Sequence, residues 1–141
     1  MAYSAVELSK YIITKCAMDN KPISNLQLQK ILYFIQKEYL QKKGVPAFED
    51  PIEAWQFGPV VPNVYYRFCG YGGMPILSEY TSDICEEDKK FIDPLVDEKR
   101  CLDPWDLVKE THKAGSAWSY TYANGIGNHR TRSLELIKQH G

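Results

Sequence analysis

The chain has 141 residues, enough for one domain that buries a core without disulfide staples. Apolar residues make up 44% and charged residues 25%, which fits a globular protein rather than a disordered or membrane one. The 17 basic and 18 acidic side chains leave a net charge of −1, which argues against a chain built mainly to hold a polyanion.

Ser4 followed by Glu7 has the spacing of a capping box, in which each side chain accepts the other's orphan backbone N–H. Ala5, Leu8, Ile12 and Cys16 then share one helical face, so a helix is predicted from about Ala5 to Met18, broken by Asp19-Asn20-Lys21-Pro22. Ser24 and Gln27 repeat the box. Leu28, Ile31, Leu32, Ile35 and Tyr39 follow as an amphipathic stripe, so a second helix is expected to run to about Lys43 and stop at Gly44. Lys37, Lys42 and Lys43 suit its C-terminal end.

Residues 51–68 are dense in aromatics and prolines. Ile52 to Phe57 reads as a short strand, which Gly58-Pro59 stops and turns; Val60 and Val61 are extended beside prolines, and Pro62 suits the first position of a helix through Cys69, ended by Gly70. Gly70-Tyr71-Gly72-Gly73 is predicted as a loop, and Pro75 to Tyr80 as a second strand pairing with the first. Glu86 to Lys99 reads as a helix that Pro94 should kink or split. Asp103 and Pro104 start a helix to about Lys113. Ser116 to Tyr122 gives a short turn, residues 124–128 a loop, and Thr131 or Ser133 opens a last helix with Leu134 and Ile137. The expected fold is one mainly α (α+β) domain spanning residues 1–141, with roughly six helices and one small β-hairpin.

Little in the chain points to chemistry. The cysteines at 16, 69, 85 and 101 form no Cys-x-x-Cys pair, and His112, His129 and His140 do not stand beside them, so mostly buried or idle thiols of a reduced cytoplasm are expected. No nucleotide-binding glycine motif, metal-ligand spacing or signal peptide is visible, and no apolar run approaches the roughly 20 residues of a membrane span. Asp83, Glu86, Glu87 and Asp88 read as charges that complement a helix dipole rather than as an acid–base pair. The expectation is a cytoplasmic protein that is not an enzyme and holds no cofactor or metal. An alternative uses the helix pair at 5–43 as a DNA-reading head of a repressor or phage regulatory protein, with Gln27, Gln29, Lys30, Gln36 and Lys37 on its face and His129, Arg130, Arg132 and Lys138 in the tail. The third possibility rests on three tryptophans and ten tyrosines, residue types that anchor protein interfaces; Trp55, Trp105 and Trp118 are each open to a core or an anchor role.

Two motifs carry a family resemblance. Leu26-Gln27-Leu28-Gln29-Lys30-Ile31-Leu32-Tyr33-Phe34, followed by Pro51 to Pro62 with its Glu53-Ala54-Trp55 and Gly58-Pro59-Val60 segments and Val64-Tyr65, resembles the Panacea domain of the SocA-like antitoxin family, which includes phage-associated GepA-like proteins. Leu107-Val108 with Thr111-His112 and Trp118 is similar to a later family segment; Phe57 and Gly115-Ser116-Ala117 depart from the pattern. The resemblance spans about residues 5–140 and implies an antitoxin that binds a toxin encoded nearby, without catalysis; some members also act as adaptors that present the toxin to a protease. On that reading the candidate partner-binding residues are Trp55, Phe57, Pro59, Tyr65, Tyr66, Arg67, Tyr71, His112 and Trp118. Arg67 has two open roles: pairing with a carboxylate of the partner, or a salt bridge to Glu53 or Asp50.

Overall fold

A computed structural model describes residues 3–56, 58–103, 105, 106, 109, 130–132 and 137. The described residues hold four α-helices and a small antiparallel sheet, so the fold is mainly α. The expected helices after Asp103 fall mostly outside them; Trp105, Asp106, Lys109 and Ile137 are helical, and Asp103 Oδ1 accepts from Trp105 N–H at 2.8 Å, as an N-cap does.

Helix α1 spans Ala5–Met18 and α2 spans Asn25–Lys42. Ser24 and Gln27 form the full capping box at the start of α2. At α1 only half of the box forms: Ser4 Oγ accepts from Glu7 N–H, while Glu7 Oε1 accepts from the Asp83 N–H instead. Gly44, at φ +71°, supplies the left-handed residue just past α2. Both helices bury more than their stripes. Tyr33, Phe34, Gln29, Lys30 and Gln36 of α2 are buried along with Leu28, Ile31, Leu32, Ile35 and Tyr39, because α1, the helices at Pro62–Phe68 and Glu86–Lys99, and the sheet surround this helix.

Strand β1, Ile52–Trp55, lies between β2, Gly58–Val60, and β3, Arg130–Arg132, and is antiparallel to both. The expected partner at 75–80 is wrong: those residues form no strand, and Gly58-Pro59 starts the return strand instead of ending the pairing. Gly58 sits at φ 112°, a conformation that favours glycine. Pro59 is tolerated because β2 is an edge strand, where a missing N–H breaks no further ladder. Helix α3, Pro62–Phe68, follows with Pro62 at its start and runs into a 3-10 turn at Cys69–Tyr71.

Residues 76–85 run as an irregular strap along α1. Ile76 N–H donates to Ile23 O at 2.8 Å, Tyr80 N–H to Thr14 Oγ1 at 2.8 Å, and Cys85 N–H to Tyr3 OH at 3.2 Å. Helix α4, Glu86–Lys99, passes through Pro94 without a break. Pro94 is exposed, as is Lys90 one turn before it, so the carbonyl left without an N–H partner can turn to water. The ends of α4 are clamped. At its C-terminal end Arg100 bridges Asp19 at 2.8 Å and Asp97 at 3.0 Å, and Lys15 contacts the same two carboxylates. At its start Asp88 accepts from Tyr3 OH at 2.6 Å, Tyr39 OH at 2.7 Å and Cys85 Sγ at 2.9 Å, with Lys43 Nζ 3.8 Å away. Thus one acid of the run read as a dipole complement also ties α4 to α2 and to the N-terminal segment. All four cysteines are free thiols; Cys16 is buried, and Cys69, Cys85 and Cys101 are exposed.

Desolvation works against the Asp88 charge, but the bonds from Cys85, Tyr3 and Tyr39 and the Lys43 ammonium outweigh it and bring the carboxyl down to about 2. Desolvation and the bonds to Asp88 push both phenols up. A depressed carboxyl stabilises the fold above its usual value of 3.8, and that contribution is lost as pH falls through about 2. After allowance for solvent screening it amounts to about 1–2 kcal/mol at neutral pH. Urea midpoints of the parent and Asp88→Asn should therefore differ most near pH 7 and converge between about pH 4 and 2. A gap that is independent of pH would rule out the charge as its source.

Candidate protein-binding site

The hairpin, the extended link and α3 form an elbow from Ile52 to Phe68, and its link residue Val61, the Pro59 carbonyl and the Tyr65 carbonyl take partners from another element. Buried polar groups must be bonded, so the elbow needs partners from elsewhere. Helix α2 provides them with side chains. Gln29 Oε1 accepts from Val61 N–H at 2.8 Å, its Nε2 donates to Asn25 Oδ1 at 2.9 Å, and Asn25 Nδ2 donates to Tyr65 O at 3.1 Å. Lys30 Nζ donates to Pro59 O at 3.0 Å. About two turns further on, Gln36 does the same for the approach to the hairpin: Oε1 accepts from Ala47 N–H and Nε2 donates to Phe48 O, both at 2.8 Å. Gln29, Lys30 and Gln36 are at most 1% exposed. This corrects the reading of α2 as a DNA-reading helix, because the polar residues that reading needs on the surface are spent inside. Gln27 is engaged in the capping box, and Lys37 Nζ lies 5.9 Å from the centroid of the Phe34 ring.

The outer face of the elbow is aromatic. Trp55 and Tyr65 meet edge to face at 4.9 Å, Tyr65 and Tyr66 at 5.5 Å, and Trp55 and Tyr66 stand 6.0 Å apart. Trp55 is half-buried, and its Nε1 donates to Glu53 Oε1 at 2.9 Å. The indole is thus braced within the elbow, between the core and anchor roles. Tyr66 is 62% exposed and leaves most of its ring to solvent. Arg67 is exposed and forms no ion pair among the described residues; Asp50 is engaged by Ala5 N–H and Asn63 Nδ2. Pro59 is buried and serves the cluster only through its backbone. Tyr71 packs partly against the core, and its hydroxyl lies 2.6 Å from Ser78 Oγ, which ties the glycine loop to the strap. Phe57, His112 and Trp118 lie outside the described residues. The structure therefore brings Trp55, Tyr65, Tyr66 and Arg67 onto one elbow and uses Pro59 and Tyr71 internally.

Beside the aromatic cluster is a cleft of about 390 Å³, lined by Asn25, Leu26, Gln29, Lys30, Trp55, Gln56, Val60, Tyr65, Cys69 and Gly72. Sequence reasoning placed none of the α2 residues here. The signal was present: Tyr33 and Phe34 stand off the apolar stripe, which marks a helix wrapped on more than one side. No group of acidic, histidine or cysteine side chains suited to a metal occurs among the described residues, and none of their helices is long and apolar enough to cross a membrane.

Comparison with known proteins bears on the same segments. The family model described as antitoxin SocA-like, Panacea domain, matches residues 28–119, from α2 through the elbow and beyond. The chain is similar to antitoxin SocA of Caulobacter vibrioides (strain NA1000 / CB15N), with 33% identity over 142 residues covering 92% of this chain and 75% of that protein. No solved structure matches.

The braced indole and the exposed phenol should separate in a melt. Trp55→Ala is expected to cost about 1–2 kcal/mol through the lost ring pairs and buried area. Tyr66→Ala should stay within about 0.5 kcal/mol of the parent. Equal losses in urea titrations would show that the two rings are not differently anchored.

Proposed function

The chain belongs to the SocA-like antitoxin family through its Panacea domain, and we propose that it is an antitoxin that neutralises a toxin by direct binding across the elbow. The observation that carries this reading is the contrast at residues 52–68: a backbone immobilised from inside by α2 beside a tyrosine and an arginine left exposed. Rings held in place lose little entropy on docking, and such anchors, rather than total area, set affinity. Trp55, Tyr65 and Tyr66 would supply amphipathic contact, and Arg67 a charge for a carboxylate of the toxin. The reading places the protein in the cytoplasm, beside a toxin encoded nearby, with binding and no bond-making as its task. A toxin held in this way is also in the state that an adaptor presents to a protease.

Co-expression with the neighbouring reading frame tests this. The parent should restore growth and co-purify with the toxin, and Trp55→Ala combined with Tyr66→Ala should weaken binding by about 2 kcal/mol or more, roughly thirtyfold. Toxin that disappears from rescued cells, instead of accumulating in the complex, assigns the adaptor route. Absence of both rescue and co-purification would overturn the reading.

A further inference from the structure

Resting on the antitoxin reading, we propose that Glu53 is a positioning residue for toxin binding, which holds the Trp55 indole in the pose that meets the toxin and touches no toxin atom itself. Strand β1 alternates: Ile52 and Ala54 are buried, while Glu53 and Trp55 are half-buried and share the opposite face. Trp55 Nε1 donates to Glu53 Oε1 at 2.9 Å along that face. An indole has one N–H, and Glu53 takes it, so Trp55 offers the toxin ring carbon and no donor.

Cross-strand neighbours are the usual support of a strand side chain. Across from Trp55 in β2 stands Gly58, which has no side chain, and the described pairing with β3 runs from Ile52 to Ala54, one residue short of Trp55. The indole is steered from α3 and from its own strand. Tyr65 meets it edge to face at 4.9 Å, and Tyr66 stands 6.0 Å away. Ring pairs tolerate a range of tilts, whereas a bond to a carboxylate is directional and charge-assisted. The bond to Glu53 therefore narrows what the rings leave open. Because Tyr65 and Tyr66 also meet at 5.5 Å, the pose of the indole is passed on to both phenols. A side chain that holds its binding pose before docking gives up less freedom on docking, and that difference enters Kd.

Variants first shown by urea titration to be folded test this with the toxin that the parent neutralises. Glu53→Ala removes the acceptor and should raise Kd roughly fivefold. Glu53→Gln keeps an acceptor oxygen without the charge and should stay within about twofold of the parent. Trp55→Phe removes the N–H, so adding Glu53→Ala to it should cost nothing further. In the free protein, the Trp55 indole N–H is the signal that Trp55→Phe removes. It should exchange with water roughly tenfold faster in Glu53→Ala than in the parent or Glu53→Gln. Glu53→Val, a better strand former, serves the same arms should Glu53→Ala fail to fold. Equal losses for Glu53→Ala and Glu53→Gln would show that the charge itself acts on the toxin. An undiminished loss in the Trp55→Phe background would show that Glu53 acts apart from Trp55. Either result overturns the proposal and leaves the antitoxin reading intact, as does an unchanged Kd or an unchanged indole exchange in Glu53→Ala. If the parent does not bind the toxin at all, this inference and the antitoxin reading fall together.

Discussion

The structure depends on a handful of buried polar side chains on α2 that bond backbone groups of the elbow and of the segment leading to it. An elbow rich in prolines cannot satisfy its own backbone, because each proline removes an N–H and restricts its neighbour. Buried, unpaired carbonyls and amides there would each cost about 1–3 kcal/mol. Gln29, Lys30 and Gln36 remove that penalty from within one helix, so the elbow and its approach are tied to α2. A lysine is an expensive choice for such a place, since its charge must be desolvated. Its long stem and compact head let it reach the Pro59 carbonyl of an edge strand from an adjoining helix.

This wiring explains how an exposed aromatic cluster coexists with a stable fold. The rings of Trp55, Tyr65 and Tyr66 touch each other and are carried by backbone fixed beneath them, so their positions do not depend on a partner. The polar clamps elsewhere work to the same end. Asp88 and Arg100 lock the two ends of α4 to α2 and to the residues flanking α1, and the strap from Ile76 to Cys85 is laced to α1 by Thr14 and Glu7 and to the segment before it by Tyr3. The result is a frame in which binding can proceed without refolding. The family match covers the same stretch, since it takes in α2 from Leu28 onward, the elbow and α3.

The first two helices were legible because their signals are local: capping residues, a breaker, and apolar spacing of three and four. The hairpin's first strand and the proline start of α3 were legible for the same reason. The pairing of that strand was not. Gly58-Pro59 has the composition of a stop, and only its position on the sheet edge lets it act as a strand. Pro94 misled in the same direction, because local rules forbid a bond that solvent replaces on an exposed face. The polar residues of α2 were misread most consequentially. By type they belong on a surface, and the demand that buries them comes from an elbow some thirty residues later. The likeness of this chain to a known family pointed to both motifs; the hydrogen bonds between them show why each goes with the other.

Native-state hydrogen exchange at Val61 tests the central claim most directly, because this amide donates to the side chain of Gln29 rather than to a helix or sheet neighbour. If α2 fixes the elbow before any partner arrives, the Val61 N–H in the free protein should exchange as slowly as the amides in the middle of α2, through global unfolding. Exchange within seconds, with protection appearing only when a toxin is bound, would contradict a preformed elbow and show that binding itself orders it.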